Sequence, residues 1–183
     1  MPSARRLSQT LARTCVFETT IHWVKGIEPN RLGLMARPSG AESLQEEVAA
    51  WRNTSVGLVV SLLESHEVRE LELKAEPALC AQQGIEFRHF PIPDRGVPQS
   101  MREASILVAE LHANLVQGKA VVIHCRAGIG RTGLVAGCIL HKLRIPRTEI
   151  FHLLSRSRGL AMPDTSAQVE WVEKFSGTFP NAP

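Results

Sequence analysis

The sequence predicts an α/β domain: a central, mostly parallel sheet of about four to five strands flanked by helices, the fold class given by strands that alternate with helices. Three observations predict it. Short continuous apolar runs, such as Leu58-Val59-Val60 and Ala120-Val121-Val122-Ile123, suit strands buried on both faces. Between them lie segments whose apolar residues recur at spacings of three and four, the helical period. The chain has 183 residues, 44% hydrophobic and 21% charged, enough for one domain with its own core.

Residues 1–15 are basic, with Arg5, Arg6 and Arg13, and the first acidic residue is Glu18. No apolar core of a secretory signal follows them. The stretch faintly resembles a mitochondrial transit peptide, but a solvated N-terminal tail accounts for it better. The domain is expected over residues 16–178, with 179–183 as a C-terminal tail. Phe17–Val24 and Arg31–Ala36 predict short strands around a Glu28-Pro29-Asn30 turn. Ser43–Asn53 predicts a helix, with Leu44, Val48 and Trp51 on one side. Gly57–Ser61 is a buried strand. Pro77–Gln83 is a short helix stopped by Gly84, and Ile85–Phe90 a strand ended by Pro91 and Pro93. Ser100-Met101-Arg102-Glu103 has the pattern of a capping box. It opens a helix whose stripe is Ala104, Leu107, Val108, Leu111 and Leu115, stopped by Gly118. Ala120–Ile123 is the next buried strand, running into His124-Cys125. Helices follow at about 130–143, 147–156 and 164–176.

Composition excludes several function classes. The net charge is only +3, which gives no electrostatic case for nucleic acid. No stretch approaches the roughly 18 apolar residues of a membrane span. The four cysteines, at 15, 80, 125 and 138, are too few and too unevenly spaced for a disulfide scaffold, and no CxxC pair suggests zinc. The histidines at 22, 66, 89, 112, 141 and 152 form no HxxxH or HxH cluster. The chain is therefore expected to be intracellular, reduced and metal-free. Tyrosine is absent, so the chain is not itself a target of tyrosine phosphorylation. Arginine outnumbers lysine 16 to 5. Genome composition explains that simply; the sharper reading is that guanidinium grips phosphate bidentately.

The informative segment is Val121-Val122-Ile123-His124-Cys125-Arg126-Ala127-Gly128-Ile129-Gly130-Arg131-Thr132-Gly133. A buried strand ends, a glycine-containing loop follows, and a helix begins. Successive backbone N–H groups in such a loop form an anion nest, and the helix N-terminus adds its positive end. Arg126, Ala127, Gly128, Ile129, Gly130 and Arg131 would together hold a dianion such as a phosphate monoester. Gly128 and Gly130 permit backbone angles that a Cβ forbids. Cys125 sits at the base of this cradle, a setting that favours the nucleophilic thiolate over the thiol. Arg131, six residues on, can fold back so that its fork meets two phosphoryl oxygens. Thr132 offers a hydroxyl to the sulfur. Arg126 is expected to face solvent, either steering acidic substrates there or simply solvated.

His124-Cys125-x5-Arg131-Thr132 resembles the signature of the cysteine-based protein tyrosine phosphatases. The likeness extends from about Ile27 to Phe175. The segments Arg31–Pro38, Val59–Glu64 and Gly84–Asp94 look most like the compact dual-specificity branch, near the kinase-associated phosphatases. The aspartate-before-cysteine order is unlike the low-molecular-weight phosphatases and arsenate reductases. An ordinary strand–loop–helix with a buried cysteine is the bland alternative.

The resemblance implies a protein phosphatase working through a phosphocysteine intermediate without metal or cofactor, the loop amides and Arg131 supplying positive charge. It also implies a general acid on a mobile loop before the cysteine. Asp94, in Phe90-Pro91-Ile92-Pro93-Asp94-Arg95-Gly96, fits and lies 31 residues before Cys125; alone it would pass for a turn residue after proline. Gln168 would place the water that hydrolyses the phosphocysteine, unless it is merely polar surface opposite Val169, Val172 and Phe175. His124 would bond loop backbone and hold the sulfur in place. Cys80 would trap the oxidised Cys125 as a disulfide, unless it is small apolar packing; Cys138 and Cys15 are taken as packing and tail residues.

The expected partner is a phosphorylated protein, with phosphotyrosine favoured over phosphoserine or phosphothreonine, acted on by a cytoplasmic monomer without stable membrane insertion. Nine aromatics and a short chain leave little to build deep walls, so the pocket is expected to be shallow. The alternatives are a phosphoinositide or other small phosphate-ester phosphatase of the same mechanism, and a non-catalytic phosphoprotein-binding domain.

Overall fold

In a computed structural model that describes residues 20–179, five strands form one sheet in the order β1-β2-β5-β3-β4. They are β1 (His22–Trp23), β2 (Leu32–Met35), β3 (Val56–Ser61), β4 (Glu86–His89) and β5 (Ala120–His124). Only β1 runs antiparallel, on β2; the other pairings are parallel. The expected mostly parallel sheet with flanking helices is thus present. The early part of the Phe17–Val24 strand, the 1–15 tail and Cys15 lie outside the described residues.

The central position of β5 follows from its sequence. Val121, Val122 and Ile123 are all fully buried, a run that only an inner strand covered on both faces accommodates. Side chains alternate across the sheet. Val121, Ile123, Leu58 and Val60 enter one core layer, with Val122, Val59 and Val56 in the other. The first layer is covered by α4 (Met101–Val116), α5 (Gly130–Lys142), α6 (Arg147–Arg158) and α7 (Ser166–Thr178). The second is covered by α1 (Ser43–Asn53) and α3 (Glu76–Gln82). Each buried Leu, Ile or Val contributes roughly 1.5–3 kcal/mol by leaving water. The predicted α4 stripe is buried in full.

Several local expectations change. Helix α2 (Ser65–Glu70) was not anticipated: its sequence, SHEVRE, is polar apart from Val68 and has no apolar period to detect. It is stabilised instead by a capping box between Glu64 and Glu67. At α4, Ser100 accepts from the Glu103 N–H, the half of the box that the structure shows. Phe179, assigned to the terminal tail, packs on Phe175 at 5.1 Å between ring centroids, and its carbonyl meets His141 Nε2 at 3.0 Å. An aromatic next to an apolar helix face gains more from burial than from solvation.

Parallel strands share one carboxyl end. The connections leaving β4 and β5 therefore emerge on the same edge of the sheet. Ligands in open α/β sheets bind at that edge.

Candidate active site

The β5–α5 loop departs from the middle of the sheet edge, and its carbonyls are turned outward and held there. Arg126 O accepts from Arg37 N–H at 3.2 Å. Arg158, at the end of α6, donates from Nη2 to Ala127 O at 3.0 Å and from Nε to Gly128 O at 3.2 Å. A trans peptide directs its N–H opposite to its C=O, so the amides of Ala127, Gly128 and Ile129 face the other way, toward the concave side. Gly128 has φ +67°, and a Cβ there would lie 2.1 Å from Met35 O. Only glycine permits this close approach of two backbones. Three successive N–H groups, those of Ala127, Gly128 and Ile129, thus share one side of the loop, an arrangement compatible with an anion nest.

Arg158 is a site residue that the sequence reading missed. Its Nη1 donates to His22 Nε2 on β1 at 3.1 Å. Burial and the Arg158 charge push the His22 imidazole below its ordinary pKa, as suits a neutral acceptor. No motif links positions 22, 127 and 158; only the fold brings them together.

Cys125 lies at the base of the loop, 3% exposed. It shares a cavity of about 250 Å³ with Asp94, Arg95, Arg126, Ala127, Ile129, Gly130, Arg131, Asp164 and Gln168. Four of the five residues singled out for chemistry, Cys125, Arg131, Asp94 and Gln168, thus line one cavity; Thr132 does not.

Arg131 is 2% exposed, and such burial of a lone charge would be prohibitive. Glu67 of α2 compensates it in fork-to-fork geometry: Nη1 to Oε2 at 2.6 Å and Nη2 to Oε1 at 2.9 Å. Nη1 also donates to Ile92 O at 3.1 Å, and Nη2 to Asp94 Oδ1 at 2.9 Å. Burial alone would raise the Glu67 carboxyl. Hydrogen bonds from Arg131 and the Glu64 N–H, with the Arg131 charge, hold it below the usual range instead. Glu67 is the second residue the sequence reading missed, because it lies on the unanticipated helix.

Two expectations need correction, those at Thr132 and His124. Thr132 Oγ1 is buried and makes no hydrogen bond, so the hydroxyl-to-sulfur bond is not formed. His124 does not bond the loop backbone. Strand alternation sends it to the opposite face from Cys125, where Nε2 meets Glu76 Oε1 of α3 at 2.9 Å, both side chains fully buried. Arg126 faces solvent at the rim of the cavity, as expected, and there Nη2 also pairs with Glu70 Oε1 at 2.6 Å. Gln168 is not surface; it is fully buried, Nε2 donating to Gly96 O at 3.0 Å and Oε1 accepting from the Asp164 and Thr165 N–H groups.

Cys80 and Cys125 are both free thiols, and they belong to opposite core layers. Burial, with the Glu76 carboxylate one turn away, pushes the Cys80 thiol up to about 12. Cys138 packs in the core, and burial pushes its thiol up as well. Among the described residues no group of three or more His, Cys, Asp or Glu side chains is placed to hold a metal, and no helix is long and apolar enough to cross a membrane.

A family model described as "Polymorphic toxin system, DSP-PTPase phosphatase" matches residues 33–143. Cyclin-dependent kinase inhibitor 3 of Sus scrofa is 32% identical over 99 residues, 53% of this chain and 46% of that protein. Phosphatidylglycerophosphate phosphatase PTPMT2 of Arabidopsis thaliana is 31% identical over 142 residues, 75% of this chain and 58% of that protein. The chain spans about half the length of these relatives. A crystal structure of kinase associated phosphatase, its catalytic cysteine substituted by serine, aligns with a TM-score of 0.79 at 24% identity, covering 87% of this chain and 95% of that one. That likeness concerns the fold alone.

Proposed function

Because this chain belongs to the DSP-PTPase phosphatase family, the compact dual-specificity branch of the cysteine-based protein tyrosine phosphatases, we propose that it hydrolyses phosphate monoesters on proteins, phosphotyrosine foremost, with phosphoserine and phosphothreonine accepted. One observation carries the reading: Cys125, Asp94, Arg131 and the loop residues Arg126, Ala127, Ile129 and Gly130 line a single cavity. A non-catalytic binding domain has no use for the cysteine and the acid together.

The two steps follow from the contacts. The loop amides take the phosphoryl oxygens. Arg131 Nη1 is fully occupied by Glu67 and Ile92, but Nη2 is shared with Asp94. An incoming phosphoryl oxygen displaces the Asp94 carboxyl from Nη2 and is held by Nε–H and Nη2–H as a fork. The displaced Asp94 then stands beside the leaving oxygen. Cys125 Sγ attacks phosphorus in line; the S–P bond forms as the P–O bond breaks, and the Asp94 carboxyl gives its proton to the departing oxygen. In the second step the Asp94 carboxylate takes a proton from water, which attacks phosphorus and releases inorganic phosphate and the Cys125 thiolate. Gln168, which lines the same cavity, is assigned the placing of that water.

A second reading is favoured by one fact. The similarity to the phosphatidylglycerophosphate phosphatase covers 75% of this chain, against 53% for the kinase inhibitor protein. A lipid phosphate ester would use the same residues. The favoured reading carries with it a cytoplasmic monomer and a single catalytic domain. Rates on a phosphotyrosyl peptide, a phosphothreonyl peptide and phosphatidylglycerophosphate separate the two readings, the first peptide being expected to turn over fastest. Asp94→Ala is expected to lower kcat on it by about 10²–10⁴. A lipid rate above both peptide rates would replace the favoured substrate class, and an unchanged Asp94→Ala rate would remove the assigned acid.

A further inference from the structure

The acid loop is fastened to the start of α7 by contacts that no part of the chemical step requires. Arg95, next to Asp94, has φ +55°, a left-handed backbone that is costly for any residue with a Cβ. Such a conformation persists only where its surroundings determine it. Gly96 N–H closes the turn on Pro93 O at 2.8 Å, Arg131 bonds Ile92 O and Asp94 Oδ1, and three further contacts reach the loop from outside. Arg95 Nη1 meets Asp164 Oδ2 at 3.2 Å. Gly96 O accepts from the Gln168 amide at 3.0 Å, and the Asp94 N–H donates to Glu64 Oε2 at 3.3 Å. Gln168 is itself fixed, since its Oε1 accepts from the Asp164 and Thr165 N–H groups. Asp164 therefore grips the loop twice, through its carboxylate on Arg95 and through its backbone on Gln168.

We propose that Arg95 and Asp164 are positioning residues, a charge latch that sets the left-handed turn at residue 95 and so aims the Asp94 carboxyl at the leaving oxygen. The inference rests on the reading of Asp94 as the general acid. Neither residue touches the reacting atoms in this role; both act through residue 94. Proton transfer to the leaving group matters most when that group is a strong base, and little when it leaves readily as an anion. A misaimed acid therefore shows itself as a dependence on the leaving group.

The test compares kcat/KM for nitrophenyl phosphate, a good leaving group, with that for phenyl phosphate, a poor one, in the full chain. Asp164→Asn and Arg95→Ala are each expected to shift the ratio of the two rates toward nitrophenyl phosphate by about tenfold, a fraction of what complete loss of an acid gives. Arg95→Lys, which keeps the charge, and the charge-exchanged double variant Arg95→Asp/Asp164→Arg are expected to recover most of the parent ratio. High salt should reproduce part of the shift, since the pair is exposed. Asp94→Ala serves as reference. If it shifts the ratio strongly and the latch variants do not, the latch is refuted and the acid assignment stands. If Asp94→Ala itself leaves the ratio alone, the acid assignment fails, and the latch with it. Equal losses on both substrates, without recovery by Arg95→Lys, reduce the pair to a structural contact and overturn the proposal.

Discussion

Cys125→Ser is expected to lower kcat on an aryl phosphate by about 10⁴-fold or more, the scale seen when a covalent nucleophile is removed. The substitution exchanges sulfur for oxygen at a site 3% exposed, so the loop and its outward carbonyl bonds should survive. What changes is chemistry. A serine hydroxyl is scarcely ionised near neutral pH and is a far weaker nucleophile than a thiolate. Oxyanion binding rests on loop amides and Arg131, so the serine variant should still bind phosphate or vanadate, measurable by calorimetry, with a melting temperature close to the parent's. Turnover within tenfold of the parent would show that another group performs the displacement.

Arg131→Met is expected to act on rate and stability together. Removal of a preorganised donor from the transition state costs about 10²–10³ in kcat. The same change leaves the Glu67 carboxylate, 1% exposed, without its bidentate partner, and breaking a buried pair in this way destabilises by about 3–5 kcal/mol. Glu67→Gln separates the two effects. It keeps a hydrogen-bond acceptor for Arg131 and removes the charge. The Glu67 carboxyl is held below its ordinary value in the folded chain. A depressed carboxyl contributes stability that is present above the unfolded pKa of about 4.3 and is lost as pH falls through the folded value. Urea unfolding should therefore show a shallower acid limb for Glu67→Gln than for the parent below about pH 5. Parallel limbs would mean that the pairing adds nothing in the folded state.

The parts of this molecule legible in its sequence are those encoded by neighbours along the chain. The apolar run at 120–123, the α4 stripe and the glycine-bearing loop each carry a local period or local conformational demand, and each lies where the sequence places it. Asp94 was picked out only through the resemblance, since its prolines and glycine alone mark no more than a turn. What escaped was encoded across the fold. Glu67 sits on a polar helix with no hydrophobic period, and its partner is 64 residues away. Arg158 and His22 are 136 residues apart and meet over two carbonyls that no side-chain pattern announces. His124 was placed in the right neighbourhood on the wrong face, because the reading attended to its place beside Cys125 and not to strand alternation. Thr132 was assigned a bond from its position alone, and its buried hydroxyl makes none.

The covalent intermediate is the most direct test. Parent protein and Gln168→Ala protein are mixed with excess aryl phosphate, quenched in acid within the first turnover, digested and analysed by mass spectrometry. One phosphoryl group on the peptide containing Cys125, more abundant in Gln168→Ala, where water is poorly placed, is the predicted result. Rapid turnover with Cys125 unmodified at every quench time, or with the phosphoryl group on another residue, would contradict it.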